Sequence, residues 1–127
     1  MIKTISEKDV NIKGLVDSIV EGIQEVKGKD IAILNLSNIE NAVCDYFIVC
    51  TGDSSTQVSS ISGSIEKTTR KNLKERAWHK EGGNSSEWIL LDYVNVVVHI
   101  FYRETREFYN IEGLWADAER TDLPNID

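Results

Sequence analysis

Residues 87–115 read EWILLDYVNVVVHIFYRETREFYNIEGLW, and this stretch decides the fold of the chain. It holds two of the three Trp, three of the four Tyr and two of the three Phe. Two runs rich in β-branched and aromatic residues, 88–93 and 95–102, are separated by little more than Val94, which predicts an antiparallel hairpin. Helical spacing of apolar residues then predicts a helix over 104–115, interrupted at Gly113.

Alternation along the first strand of this hairpin divides its side chains between the two faces of a sheet. Trp88, Leu90 and Asp92 fall on one face. Ile89, Leu91 and Tyr93 fall on the other. Because both faces are largely apolar, we expect one to meet helices and the other to meet a further layer or a partner. We expect the Trp88 face to be the accessible one.

Upstream of the hairpin the chain reads as helix, strand, strand, helix and a short edge strand. These elements are predicted over residues 11–26, 30–36, 44–51, 55–74 and 77–80. At the start of the second helix, Ser54 and Gln57 fit a capping box. In that motif the serine oxygen accepts the Gln57 amide hydrogen, and the Gln57 side chain reaches back to the cap amide.

The whole pattern predicts an α/β fold, with a mixed sheet of about five strands and helices packed on it. A chain of 127 residues with 41% apolar and 28% charged residues is typical of one soluble globular domain. We expect that domain to span 1–117. The acidic segment 118–127, which carries the only proline, is predicted to be a frayed tail.

The charge balance narrows the classes of partner. The formal net charge is −7, so the long-range field repels phosphate backbones and favours a basic protein partner. A basic group on the second helix and its exit is interpreted as a solvated face rather than a nucleic-acid site; it comprises Lys67, Arg70, Lys71, Lys74 and Arg76. No apolar run suits a signal peptide or a membrane span, which predicts a cytoplasmic protein.

Residues that could carry chemistry are few. Cys44 and Cys50 lack the spacing of redox or zinc sites and are expected to be small buried thiols. His99, alone in an apolar strand, is expected to be structural. The junction Gly52-Asp53-Ser54 is interpreted as an ordinary capped turn rather than a phosphate site. We therefore predict no catalytic residue, no metal and no cofactor.

Two segments of the chain together resemble a known family. CDYFIVCTGDSSTQV (44–58) and the opening stretch (87–115) are similar to the ribosomal silencing factor family, also called Iojap-like, over about Val10 to Trp115. The resemblance implies a nucleotidyl-transferase-like fold that is catalytically degenerate. It also implies binding to the large ribosomal subunit through large-subunit ribosomal protein fourteen, which blocks subunit association and represses translation when nutrients are scarce.

The resemblance also implies a set of partner-binding residues. Trp88 matches the tryptophan that opens the family's hairpin. The other implied contact residues are Leu90, Asp92, Tyr93, His99, Phe101, Arg106, Tyr109 and Trp115. Where the family commonly has Gly-Asp, this chain has Val94-Asn95, so we expect a hairpin turn that avoids positive φ.

Three alternatives stay open at the level of sequence. The protein could be a large-subunit assembly factor, since a silencer and an assembly factor would dock on the same subunit. It could also be a metal-dependent nucleotidyl transferase, with Asp45 and Asp92 as carboxylates, although the second carboxylate expected beside Asp92 is replaced by Val94. A self-complementary aromatic face is also compatible with a homodimer.

Overall fold

The computed structural model describes residues 7–83 and 87–126, with side chains described from residue 11 onward. In these ranges the chain forms a six-stranded mixed sheet with two long helices packed on one face. The helices are α1 Glu7–Glu25, α2 Ser55–Leu73, α3 Arg103–Tyr109 and α4 Ile111–Leu114. The strands are β1 Lys29–Asn35, β2 Tyr46–Gly52, β3 His79–Glu81, β4 Trp88–Asp92, β5 Val96–Tyr102 and β6 Glu119–Asp122.

The strands lie in the order β3-β4-β5-β2-β1-β6. Strands β2 and β5 pair in parallel at the centre, and every other neighbouring pair is antiparallel. The predicted α/β class with a mixed sheet is confirmed, and so is the β4–β5 hairpin. The parallel pair joins strands that are separated by α2, β3 and β4, which is the long crossover that parallel pairing requires.

The face covered by α1 and α2 holds the main core, and it is almost entirely aliphatic. Its fully buried members include Ile19, Ile23, Val58, Ile61, Ile65, Ile89, Leu91, Val98 and Ile100. The two helices approach closely at Gly22, where an added Cβ would lie 2.8 Å from Ile65 Cα. Ser64 Oγ also donates to the Gly22 carbonyl at 2.6 Å, so a small residue on α1 fixes how α2 sits beside it.

The capping box predicted at the start of α2 is confirmed. Ser54 Oγ accepts from the Gln57 amide at 3.0 Å, and Ser54 has the extended backbone of an N-cap residue. The Gln57 side chain reaches back one residue further than predicted, because its Oε1 accepts from the Asp53 amide at 2.7 Å. This fixes the sharp turn between the buried end of β2 and α2.

The hairpin tip departs from the predicted geometry. Val94 has φ +74°, so the expectation of a turn without positive φ is wrong. The Asn95 amide donates to the Tyr93 carbonyl at 3.0 Å, the bond of a three-residue γ-turn whose central residue takes a rare, strained conformation. Asp92 Oδ1 accepts the Val94 amide at 2.7 Å and holds the tip in this shape.

The C-terminal part of the chain differs from prediction in two places. The helical stretch breaks at Asn110, which has φ +45°, and not at Gly113, which lies inside α4. The segment predicted to be a frayed tail instead supplies β6, which pairs antiparallel with β1 in the register Ala32 to Asp122 and Leu34 to Arg120. Backbone pairing with a neighbouring strand orders a segment whose own sequence carries no strand pattern.

Candidate functional site: an aromatic face of the sheet

The sheet face opposite α1 and α2 carries the predicted contact strand. In the β4–β5 register, Trp88 faces Phe101, Leu90 faces His99, and Asp92 faces Val97. All three β4 side chains are half-buried, so the tryptophan that we expected to be accessible retains exposed surface. We call this surface the aromatic face and define it by Phe47, Trp88, Leu90, Asp92, Val97, His99 and Phe101.

Aromatic rings form a continuous row across this face. Consecutive ring centroids are 4.7 to 5.9 Å apart along the order Phe108, Tyr109, Trp88, His99, Phe47 and Trp115. These separations lie in the range in which aromatic pairs attract. Because α3 supplies Phe108 and Tyr109, the row continues from the sheet onto a helix. The two helix residues are 81% and 50% exposed.

Cover over the aromatic face is incomplete. At one end Trp115 and the segment 36–44 pack on Phe47, and at the other Ile111 of α4 packs near Phe101. Beside Phe47 the face holds an open groove of about 510 Å³ whose floor is Phe47, Leu90, Val97 and His99. Its rim includes the exposed side chains of Val43, Trp78 and Val94. Phe47, Val43 and Trp78 were not among the predicted contact residues, because they lie on segments far from the hairpin or from one another in the sequence.

His99 occupies the floor of this groove and is only 6% exposed. Its Nδ1 lies 3.2 Å from Trp88 Nε1, and an indole nitrogen can only donate. Burial lowers the pKa of His99 to about 4, so the ring is neutral at pH 7. The imidazole therefore accepts from Trp88 and helps to fix the orientation of the indole ring.

Besides His99, two of the implied contact residues are buried. Phe101 is fully buried on the aromatic face, beneath Trp88 and beside Ile111. Tyr93 lies on the helix side, where its hydroxyl is 3.0 Å from Thr69 Oγ1, and burial raises its pKa. Leu90, Asp92, Trp88, Tyr109 and Trp115 keep accessible surface, and their contact role stays a prediction.

Arg106 is engaged inside the protein rather than presented to a partner. Its Nη1 donates to the Asp30 carbonyl at 2.6 Å and to Thr51 Oγ1 at 2.9 Å. Its Nε and Nη2 both donate to Glu112 Oε2, at 3.2 and 3.1 Å, and both side chains are only 11% exposed. These bonds tie α3 and α4 to the ends of β1 and β2, which positions the helix that carries Tyr109.

The polar groups weighed for chemistry have structural partners or are shielded. Asp92 holds the hairpin tip, and within residues 7–83 and 87–126 no group of three His, Cys, Asp or Glu side chains could hold a metal ion. Cys44 and Cys50 are free thiols, and burial raises their pKa to about 11 and about 12. No helix in the described part of the chain is long and apolar enough to cross a bilayer.

An open groove lined by aromatic and apolar side chains on the second face of the sheet is the kind of surface feature that often marks an interaction site. The family model described as "Ribosomal silencing factor during starvation" matches residues 9–127. The chain therefore belongs to the ribosomal silencing factor family. This establishes the resemblance noted in the sequence and extends it to the end of the chain.

Individual relatives agree with this assignment. The chain is 33% identical over 114 residues to the ribosomal silencing factor RsfS of Bacillus subtilis, a match that covers 90% of this chain and 95% of that protein. The crystal structure of a Chromobacterium violaceum protein superposes with a TM-score of 0.78 at 33% identity, covering 83% of this chain and 86% of that one. A mouse protein named for mitochondrial assembly of the large ribosomal subunit is 29% identical over 80% of this chain and 45% of its own length.

Proposed function

We propose that this protein is a non-enzymatic, cytoplasmic repressor of translation that docks on the large ribosomal subunit through its aromatic face. Its contact there is large-subunit ribosomal protein fourteen, and docking blocks association with the small subunit when nutrients are scarce. Family membership supports the ribosomal role. The continuous aromatic row is the single observation that carries the docking site.

The chemistry of the face supports a protein partner. Tryptophan and tyrosine dominate the binding energy of protein interfaces, and both stand partly exposed here as Trp88 and Tyr109. The exposed Phe108 and Leu114 extend the apolar area along the adjoining helices. Asp92 at the groove and a net charge of −7 favour a basic partner, because complementary charge speeds encounter and sets orientation.

The direct test is co-sedimentation with purified large subunits, followed by an assay of subunit joining. We expect wild-type protein to co-sediment and to inhibit joining, and Trp88→Ala to weaken binding by about tenfold or more. Trp88→Phe should retain part of the affinity, because a ring remains. Arg70→Ala, on the exposed basic side of α2, is the matched control and should bind as wild type.

Two outcomes would contradict the proposal. Wild-type protein that neither co-sediments nor inhibits joining would remove the docking role altogether. Loss of binding in Arg70→Ala, with Trp88→Ala unaffected, would move the contact to the basic face of α2 and indicate ribosomal RNA as the partner.

A role in assembling the large subunit is the second candidate, and the name of the mouse relative favours it. An assembly factor and a silencer can share a docking site, so the binding assay does not separate them. Ribosome profiles of a deletion strain would distinguish the two roles. Unfinished large subunits in growing cells would indicate assembly, whereas joined ribosomes that persist only in starved cells would indicate silencing.

A further inference from the structure

His99 carries a buried polar atom that the fold does not use. Its Nε2 is shielded from solvent and has no hydrogen-bond partner among the described residues. Since Trp88 Nε1 donates to Nδ1, the neutral ring must carry its proton on Nε2. A side chain that lines the groove therefore carries an N–H donor that is already shielded from water in the free protein.

The acceptor role of Nδ1 gives the imidazole a structural function, but the hydrogen on Nε2 contributes no bond within the described part of the fold. Phenylalanine matches the ring in size, and the neighbouring Phe47 and Phe101 would pack against it as they pack against His99, whose ring centroid lies 4.7 and 6.1 Å from theirs. Buried donors without acceptors are uncommon and unfavourable, and each one that persists calls for an explanation, of which a functional role is one. Because His99 lies in the groove floor, the function that it indicates is recognition of the partner that occupies the groove.

We propose that His99 is a specificity-determining residue that donates its Nε2 hydrogen to a backbone carbonyl oxygen of the docked protein partner. The inference rests on the proposed function and adds the chemistry by which the groove recognises its occupant. That occupant is an apolar segment flanked by basic side chains, whose apolar residues lie along Phe47, Leu90 and Val97.

The charges around the groove select among possible acceptors. Asp92 lines the groove, and Glu81 pairs with His79 beside it at 2.8 Å, so a carboxylate from the partner would meet two acidic side chains. A neutral carbonyl oxygen avoids that repulsion while its basic neighbours are attracted. Because Nε2 is shielded in the free protein, docking must shift a neighbouring side chain to reach it. Leu90, which stands opposite His99 in the strand register and is only partly buried, is the candidate for that shift.

The first measurement is the tautomer of His99 in the free protein, read from the side-chain ¹⁵N shifts at pH 7. The chain has two histidines, so the exposed His79 serves as the internal reference. We expect His99 to carry its proton on Nε2. A proton on Nδ1 would overturn the proposal, because no donor would then face an incoming carbonyl.

The second measurement compares three variants for stability and for affinity to large subunits. His99→Phe should be slightly less stable than wild type, because Trp88 Nε1 loses its acceptor, and should bind about tenfold more weakly, the scale of one hydrogen bond. His99→Gln places an amide donor near the Nε2 position and should recover most of the affinity. His99→Asn places its amide near Nδ1 and should not.

Equal binding by wild type and His99→Phe would overturn the inference and leave the docking role intact. So would equal weakening in His99→Phe and His99→Gln, because the loss would then not follow the donor. If wild-type protein fails to bind large subunits, the proposed function fails and this inference with it, and the wild-type sample alone reveals that result.

Discussion

The two faces of one sheet have opposite characters in this protein. Under α1 and α2 the strands present isoleucine, valine and leucine, which are excluded from water. On the other face the same strands present Trp88, His99 and Phe47, and this face has only partial cover and an open groove. Aliphatic side chains pack densely in the layer beneath the helices. Trp and His rings carry a polar group as well as an apolar surface, so they tolerate partial exposure and suit a surface that a partner covers only when it binds. One layer thus supplies stability, and the other supplies the surface that we propose as the contact.

Neighbouring leucines of β4 test this division most directly. Leu91→Ala, on the helix-covered face, should lower the free energy of unfolding by about 4 kcal/mol, because a fully buried side chain leaves a cavity. Leu90→Ala, half-buried on the aromatic face, should lower it by about 1 kcal/mol. Urea unfolding measures both. Affinity for large subunits, corrected for the folded fraction, should fall only in Leu90→Ala; the reverse pattern would exchange the roles of the faces.

Two arginines of α3 test how the cover over the aromatic face is anchored. Arg106→Ala should lower stability by about 3 kcal/mol, because Glu112 is left as a buried charge without its main partner. Arg103 pairs with Asp30 and Asp53 but is 44% exposed, so Arg103→Ala should lose less than about 1 kcal/mol. Similar losses in the two variants would show that burial does not distinguish the two pairs.

Acidification should lower the free energy of unfolding, because His99 becomes protonated more readily in the unfolded chain. Burial holds its pKa at about 4, below the ordinary 6.5, so between these values the unfolded chain binds more protons at this site. The free energy of unfolding should therefore be unaffected by protonation of His99 above about pH 6.5 and should fall as the pH is lowered towards 4. The expected loss is about 2 kcal/mol between pH 7 and pH 5. Urea unfolding at several pH values should show that the unfolding free energy of His99→Phe lacks this part of the pH dependence. The same pH dependence of unfolding free energy in wild type and His99→Phe would mean that the imidazole is not buried as described.

The hairpin tip gives the smallest expected effect. Val94→Gly should raise stability by about 1 kcal/mol, because glycine adopts the left-handed region without the strain that a β-branched residue carries there. Asn110 also has positive φ, and asparagine tolerates it, so Asn110→Gly should change stability by only a few tenths. Thermal unfolding compares the two. A destabilised Val94→Gly would show that the exposed valine side chain contributes more than its backbone strain.

Features governed by local chemistry were predictable from the sequence. The capping box at Ser54, the β4–β5 hairpin and the placement of Trp88 opposite the helix-covered face follow from neighbouring residues and from alternation. Strand β6 was not predictable, because Glu119–Asp122 has no strand propensity of its own and pairs with β1, about ninety positions away. Val94 shows the limit even at short range, since Asp92 and Asn95 together stabilise a turn that its own propensity opposes.

The site was predictable in part for the same reason. Period-2 alternation separated Trp88 from Ile89, but it could not show that Trp115 would pack on Phe47 or that Trp78 and Val43 would form one rim. Arg106 illustrates the limit from the other side. Its position among aromatic residues suggested an interface, but its partners at Asp30 and Thr51 lie more than fifty positions away and hold it inside.

The outer strands of the sheet have a consequence for solubility. Strand β3 is His-Lys-Glu and strand β6 is Glu-Arg-Thr-Asp, and both are short and exposed. Short charged edges discourage another chain from extending a sheet by backbone pairing, which is a common route to fibrils and precipitates. The protein can thus leave an apolar groove open on one face of the sheet, because charged residues at both edges hinder extension of the sheet by another chain.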